Sequence, residues 1–321
     1  MKPILVYGAT GYTGRLCVAA LEALEQPYLI GGRNEDALKA LAQSPHCEGF
    51  RVAAVDALGD IFEGVGCVLT CVGPFARWGL PVLDAAIAAG AHYVDTTGEH
   101  SFLAEAQNRH DDAVAAGVTA LPACGIEYLP MFLGAALFEP GPVNSYLWMT
   151  DFHPTQGTVR SAVGMAGFGS MPVPKYVQFD EYKGYAIQIP GGESLFVHPE
   201  SRTHLVLKLH EAWGLTALWP LSKLLPPARF ADHIAARVTD PTVEQRTADR
   251  FDLVMQSGDR WLHLHDSDVY GSTGRYAAAV AQRLVQGAAT QAGVLSAGKA
   301  LDANELLNAL QLEVVWGKAP A

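Results

Sequence analysis

The apolar run Ile4-Leu5-Val6-Tyr7 passes directly into Gly8-Ala9-Thr10-Gly11-Tyr12-Thr13-Gly14, and this junction restricts the fold more than any other stretch of the chain. A short apolar run with β-branched residues, ended by glycine, reads as a strand buried on both faces. From Arg15 to Leu24 the apolar residues Leu16, Ala19, Ala20 and Ala23 recur at helical spacing. A strand that turns sharply into a helix presents backbone N–H groups with little bulk around them, which is what a dinucleotide pyrophosphate requires. Gly8 lets the chain turn, Gly11 lets the backbone approach phosphate oxygens, and Gly14 lets helix and strand pack closely. Thr10, Tyr12 and Thr13 complete the loop and are expected to touch the same ligand. The spacing is G-x-x-G-x-x-G, and the strand-loop-helix context carries the assignment rather than the glycine count.

The alternation continues. Tyr28–Ile30 reads as a second buried strand, and Asn34 caps a helix to about Ala42 with Glu35 and Asp36 in its first turn. Strands are expected at Phe50–Val55, Val68–Val72, His92–Val94 and Val118–Leu121. Helices are expected at Leu80–Ala89, with Pro81 near its start and Gly90 past its end, and at Phe102–Ala116. Strand and helix in alternation imply a parallel sheet covered on both faces. After Pro142 the texture changes to short period-two runs such as Tyr185–Ile189 and Leu262–His265, punctuated by glycine and proline. These predict a mainly antiparallel sheet. Helices at Arg275–Gln286 and Leu301–Leu312 follow. The expected organisation is α/β, with a dinucleotide-binding domain over 1–142, a substrate or dimerisation domain over 143–273, and C-terminal helices over 274–321 that pack back on the first domain.

The end of the second strand discriminates between cofactors. A carboxylate there would bond a ribose 2′-OH; this chain has Gly31-Gly32-Arg33-Asn34 instead. No acid repels a 2′-phosphate, and Arg33 can pair with it and stack on adenine. NADP(H) is therefore expected over NAD(H). Asp56, after the third strand, is placed to meet the adenine amine. Cys71-Val72-Gly73-Pro74 after the fourth should run beside the cofactor, and Cys124-Gly125 should approach the nicotinamide.

Composition excludes several classes. A net charge of −11 argues against a nucleic-acid surface. Five cysteines, mostly in apolar segments, suit a reducing cytosol and not a disulfide framework, and their spacing matches no zinc site. Gly8 and Gly11 interrupt the first apolar run too early for a signal peptide. No run of about 20 apolar residues exists to span a bilayer. The nearest approach, Trp213–Leu225, is broken by Pro220 and Lys223. It is expected to line a substrate entrance or a subunit contact, which admits a homodimer; the alternative is an ordinary core helix.

The segments Gly8–Gly14, Gly31–Asn34, Val72-Gly73-Pro74-Phe75, Tyr93-Val94-Asp95-Thr96-Thr97-Gly98-Glu99 and Pro122-Ala123-Cys124-Gly125 together resemble the saccharopine dehydrogenase-like NAD(P)-binding family, and especially its branch of trans-acting enoyl reductases. Arg246–Phe251, Tyr270 and Gly293-Val294-Leu295 are similar to that branch as well. The resemblance thins from about Lys175 to Asp240. It implies a Rossmann-like first domain, an α+β second domain and hydride transfer with NADP(H). It does not imply saccharopine as substrate. The expected activity is reduction of a C=C (enoyl), C=N or C=O bond of a hydrophobic small-molecule or acyl substrate, free or carrier-bound. A catalytically silent NADP(H)-binding regulatory or assembly protein is the alternative.

The catalytic group is less legible. None of the 11 tyrosines has lysine four positions later, so the Tyr-x-x-x-Lys acid of short-chain reductases is absent. Tyr128, Arg160 and Tyr270 are candidate proton donors or orienters. His263 and His265 share one strand face but offer two ligands at most, so no metal site is expected.

Overall fold

A computed structural model describes residues 2–165, 173–222 and 233–318, with side chains described except at 162–165 and 218–222. In chain order the elements begin with β1 (Ile4–Tyr7), α1 (Tyr12–Ala23), β2 (Tyr28–Gly32), α2 (Glu35–Leu41), β3 (Cys47–Val52), β4 (Cys67–Thr70), α3 (Phe75–Ala88), β5 (His92–Asp95), α4 (His100–Ala106), α5 (His110–Ala115), β6 (Thr119–Leu121) and α6 (Leu129–Ala135). They continue with β7 (Asn144–Thr150), α7 (Gln156–Met165), β8 (Lys175–Phe179), β9 (Tyr182–Ile189), α8 (Glu193–Phe196), β10 (Arg202–Leu207), α9 (Leu209–Ser222), α10 (Val243–Ala248), β11 (Arg250–Ser257) and β12 (Arg260–Ser267). The chain closes with α11 (Val269–Val285), β13 (Gly293–Val294), α12 (Ala297–Ala300), α13 (Ala303–Ala309) and β14 (Val315–Lys318).

Two compact units result. The first comprises residues up to Leu129 together with Tyr270–Leu306. Its described strands form a parallel sheet in the order β13-β6-β5-β4-β1-β2-β3. From β1 the chain builds β2 and β3 on one side and β4 to β6 on the other, so the order switches between β1 and β4, where doubly wound sheets open the crevice that binds dinucleotides. Ile4, Leu5, Val6 and Tyr7 are at most 1% exposed, as a strand covered on both faces must be.

The second unit comprises Pro130–Val269 and the residues from Leu307. Its sheet runs β14-β12-β11-β7-β10-β9-β8, antiparallel throughout except for the β7–β10 pair. Phe179, Val254 and Trp261 form a buried cluster there, with Tyr146, Trp148, Val177 and Tyr182 packed against it.

The expected boundaries need correction. The first unit ends at Leu129 rather than 142, because α6 belongs with the second sheet: any side chain on Gly134 would lie 2.6 Å from Met255 Sδ and 3.5 Å from Leu262 and Leu264. The tail expected over 274–321 divides, since α11 lies in the first unit while β14 pairs with β12 in the second. Helix α3 starts at Phe75, so Pro81 lies inside it rather than near its start. The third strand is shifted to Cys47–Val52, and a 3-10 turn occupies Val55–Ala57. The single helix expected over Phe102–Ala116 is broken by a 3-10 turn at Gln107–Arg109.

The three glycines of the first loop differ in what they do for folding. Gly8 has φ +86°, and a Cβ there would also lie 2.7 Å from Val72 Cγ2. A Cβ on Gly14 would run into Gly8 O and sit 2.8 Å from Ala9 Cα. Gly11 is exposed, has φ −73°, and would bring its Cβ only to 3.3 Å from Gly8 O. Gly14→Ala is therefore expected to lower stability by about 1–3 kcal/mol, the usual cost of forcing a methyl group into a filled space. Gly11→Ala should stay within about 1 kcal/mol of the parent, the scale of an N-cap change. Chemical denaturation of both variants checks the order; equal losses would contradict it.

Candidate functional site

The carboxyl ends of β1 to β6 gather the residues singled out in the sequence. Gly8 N and Ala9 N both donate to Gly31 O, at 2.9 and 3.3 Å, which ties the glycine loop to the end of β2. Gly11 is the N-cap of α1, with no side-chain cap and no acid in the first turn. The positive end of the helix dipole is thus left for an anion. Thr10 O accepts from Arg15 Nε at 3.1 Å, and the ring of Tyr12 meets that of Tyr270 edge-on at 5.4 Å.

At the ends of β2 and β3, Arg33 and Asp56 are both exposed. Asn34 caps α2 by accepting from Ala37 N at 3.0 Å, so its side chain already has a structural task. Tyr7 lies beneath, its hydroxyl donating to Ala53 O at 3.1 Å. Burial pushes this phenol up to about 12, with the Asp56 charge adding to the shift and the Arg33 charge opposing it. Both charges therefore act on one spot beside β2. A Cβ on Gly32 would have its nearest neighbour at 3.9 Å, so the glycine there leaves room.

Past β4, Val72 N donates to Thr70 Oγ1 at 3.3 Å and Gly73 is exposed, with a cis peptide to Pro74. Cys71 Sγ lies 3.6 Å from Cys17 Sγ. The start of α3 is set by a carboxylate from elsewhere: Glu99 accepts from Phe75 N at 3.0 Å and Ala76 N at 2.8 Å. Thr97 Oγ1 in turn accepts from Glu99 N at 3.0 Å. This distant cap is why α3 begins earlier than local sequence suggests.

Asp95, fully buried at the end of β5, braces the neighbouring turn. Its Oδ1 accepts from Thr97 N at 2.9 Å and Ala123 N at 2.8 Å, and its backbone O accepts from Cys124 N at 2.7 Å. Ala123 is held at φ +61°, a conformation that costs a non-glycine residue energy and needs such support. The Tyr93 hydroxyl is close enough to pull on Asp95, yet neither that oxygen nor Asp95 Oδ2 completes a hydrogen bond. Burial raises the Asp95 carboxyl to about 6, against the pull of the two N–H donors.

Of the remaining candidates, Cys124 is buried with its thiol directed to Leu121 O, so only the backbone of Cys124-Gly125 can meet a ligand. Tyr128 is buried at 4% exposure, and Tyr270 is committed to the Tyr12 contact. Arg160 stands on α7 in the other unit. Sequence reasoning missed Asp95, Glu99 and Glu127. Asp95 and Glu99 were inside a stretch noted for its resemblance, but nothing local marks an acid as a brace. Glu127, just past Gly125, is partly buried, and burial raises its carboxyl.

In the second unit, His263 Nε2 and His265 Nδ1 converge on Asp252 Oδ1 at 2.9 and 3.0 Å. Among the described residues no group of three or more His, Cys, Asp or Glu could hold a metal ion. A cavity of about 730 Å³ opens beside Thr150, Asp151, Thr247, Asp249, His265 and Ser267. The Asp249 carboxylate is buried there without a hydrogen bond; His153 Nδ1 approaches its Oδ1 only to 3.6 Å. Burial raises the Asp249 carboxyl, and the charges of Asp268 and Asp151 add to the effect. On α9, Trp213 and Leu215 are 53% and 46% exposed while Ala212 is buried; the apolar side chains from Leu218 to Leu225 lie outside the described residues. No described helix is long and apolar enough to cross a membrane.

A doubly wound sheet with an uncapped helix N-terminus at its switch point is the architecture of a dinucleotide-binding domain. Over residues 4–121 the chain matches the saccharopine dehydrogenase NADP binding domain. It is similar to a trans-acting enoyl reductase of Mycobacterium leprae, 32% identical over 137 residues, which are 40% of this chain and 33% of that protein. It is also similar to a saccharopine dehydrogenase-like oxidoreductase of Arabidopsis thaliana, 31% identical over 172 residues, 48% of this chain and 37% of the relative. The match thus spans well under half the length of these relatives. In fold it is similar to apo saccharopine dehydrogenase (L-Glu forming) from Saccharomyces cerevisiae, with a TM-score of 0.66 at 13% identity and 100% of both chains covered.

Asp95 gives a pH test. A carboxyl raised in the folded state stabilises the fold below its unfolded value of 3.8, and that contribution is lost as pH rises through about 6. Asp95→Asn keeps an acceptor for Thr97 and Ala123 N–H but carries no charge. Relative to the parent, the variant should gain stability between about pH 4 and pH 7, by at most about 3 kcal/mol for a shift of this size. Thermal unfolding across that range checks it; parallel profiles would show that Asp95 does not titrate as described.

Proposed function

We propose that this chain is an NADP(H)-dependent reductase acting on a C=C, C=N or C=O bond of a small-molecule or acyl substrate. The observation that carries the cofactor preference is the end of β2: glycines where a carboxylate would select NAD(H), and the exposed Arg33 beside them. The loop at Gly8–Gly14 fits a pyrophosphate, since the exposed Gly11 stands at an uncapped helix N-terminus. When bound, the cofactor supplies hydride. The protein's part is to hold it: Gly11 and the first turn of α1 on the pyrophosphate, Arg33 on the 2′-phosphate, and the backbone of Val72-Gly73 and Cys124-Gly125 along the remainder. Asp95 and Glu99 keep those two turns in place.

For the substrate, the name of the Mycobacterium leprae relative supports an enoyl group, and Trp213 and Leu215 on α9 offer apolar surface in the second unit. A second reading is favoured by the acidic cavity. A buried carboxylate at Asp249, approached among the described residues only by His153 Nδ1 at 3.6 Å, suits a cationic amine, which would make the reaction C=N reduction or its reverse.

Calorimetric titration should show NADPH binding more tightly than NADH. Arg33→Ala is expected to weaken NADPH by roughly tenfold or more while sparing NADH, because a charged hydrogen bond contributes on the order of 1.5–3 kcal/mol. Equal losses for both nucleotides would remove Arg33 from the phosphate site. NADPH consumption against enoyl, imine and carbonyl compounds, with product masses measured, then separates the reactions. Tight NADPH binding without turnover of any of them would replace the enzyme reading by the silent, cofactor-binding one.

A further inference from the structure

Three carboxylates stand at the ends of β5 and β6, and two of them are occupied. Asp95 and Glu99 each accept two backbone N–H groups. Glu127 has no hydrogen-bond donor and no ion-pair partner among the described residues, and burial alone acts on its carboxyl. It is nevertheless held firmly. The turn that carries it is tied to Asp95 through Ala123 N and Cys124 N, and Ile126 N donates to Thr273 Oγ1 at 3.2 Å. Leu129 N donates to Gly125 O at 2.9 Å behind it. In front, a side chain on Gly98 would run into Glu127 Oε2, so the glycine leaves the space that the carboxylate fills. A partly buried charge without a partner is unfavourable in the free protein, and a ligand that offers positive charge removes the penalty.

The position on the sheet says which part of a dinucleotide that ligand is. Arg33 and Asp56 mark the adenosine side, at β2 and β3. Glu127 lies past β6, on the opposite side of β1. A dinucleotide laid across the switch point with its adenosine over β2 has its nicotinamide on the β4–β6 side. We propose that Glu127 is the residue that faces the nicotinamide ring and sets the electrostatic potential there. This deepens the reading of the site as NADP(H)-binding and rests on it. The oxidised ring is cationic and the reduced ring neutral, so Glu127 favours NADP⁺ over NADPH. It thereby lowers the cost of the positive charge the ring acquires as hydride leaves, a fixed charge aimed at the place where charge develops.

The test needs no substrate. NADP⁺, NADPH and 2′,5′-ADP, which lacks the nicotinamide, are titrated calorimetrically into the full chain and its variants at low salt and mildly alkaline pH. Glu127→Gln is expected to weaken NADP⁺ on the order of three- to tenfold, the scale of one charge pair across a partly screened site. NADPH should hold or gain affinity, and 2′,5′-ADP should be unchanged. Glu127→Asp, which keeps the charge, should recover part of the NADP⁺ preference. Gly98→Ala, which keeps the glutamate but pushes its carboxylate aside, should reduce it. If Glu127→Gln shifts NADP⁺ and NADPH equally, or neither, while 2′,5′-ADP still binds, Glu127 does not face the ring. Should Glu127→Gln fail to fold, an unchanged NADP⁺ to NADPH ratio in Gly98→Ala overturns the proposal. If 2′,5′-ADP fails to bind the parent chain, the NADP(H) reading itself falls, and this proposal with it.

Discussion

The close approach of α1 to the end of β1 is the contact on which the first unit depends. Gly14 has no side chain where Gly8 O sits, and Gly8 adopts a left-handed conformation that also keeps clear of Val72. Together they bring the helix N-terminus, the end of β1 and the loop after β4 to one point. Any side chain at either position would move the helix off the strand or the fourth-strand loop off the first. The crevice of the sheet is thus made by the same packing that makes the turn.

The rest of the rim is held by carboxylates. Asp95 supports a strained turn at Ala123, and Glu99 fixes the start of α3. Each replaces solvent as the partner of backbone N–H groups that would otherwise be buried unpaired. The cost is desolvation of charge, evident in the raised Asp95 carboxyl. Asp249 in the second unit carries the same cost, with only His153 Nδ1 approaching it among the described residues, at 3.6 Å. A chain of net charge −11 can therefore brace its turns with acids and still keep Arg33 exposed at the end of β2.

What was legible in the sequence was local. The strand-loop-helix unit at Ile4–Ala23, the Asn34 cap and the glycines at the end of β2 each depend on a few consecutive residues and on backbone geometry, and all are in the structure. The mainly antiparallel character of the second sheet could also be read from period-two runs. Element ends were less legible where a distant group sets them. The start of α3 depends on Glu99, which lies 24 residues from Phe75. The edge of the first unit depends on whether α6 packs on the second sheet, and no composition shift records that.

By itself the sequence determined the class: a parallel sheet around a glycine loop, without an acid after the second strand, because steric freedom and charge at those positions are properties of the residues. Only the tertiary structure decided which carboxylates are braces and which is left without a partner. Asp95, Glu99 and Glu127 are alike as letters. They differ because the fold brings two backbone N–H groups to each of the first two and brings a side-chain-free glycine to the third.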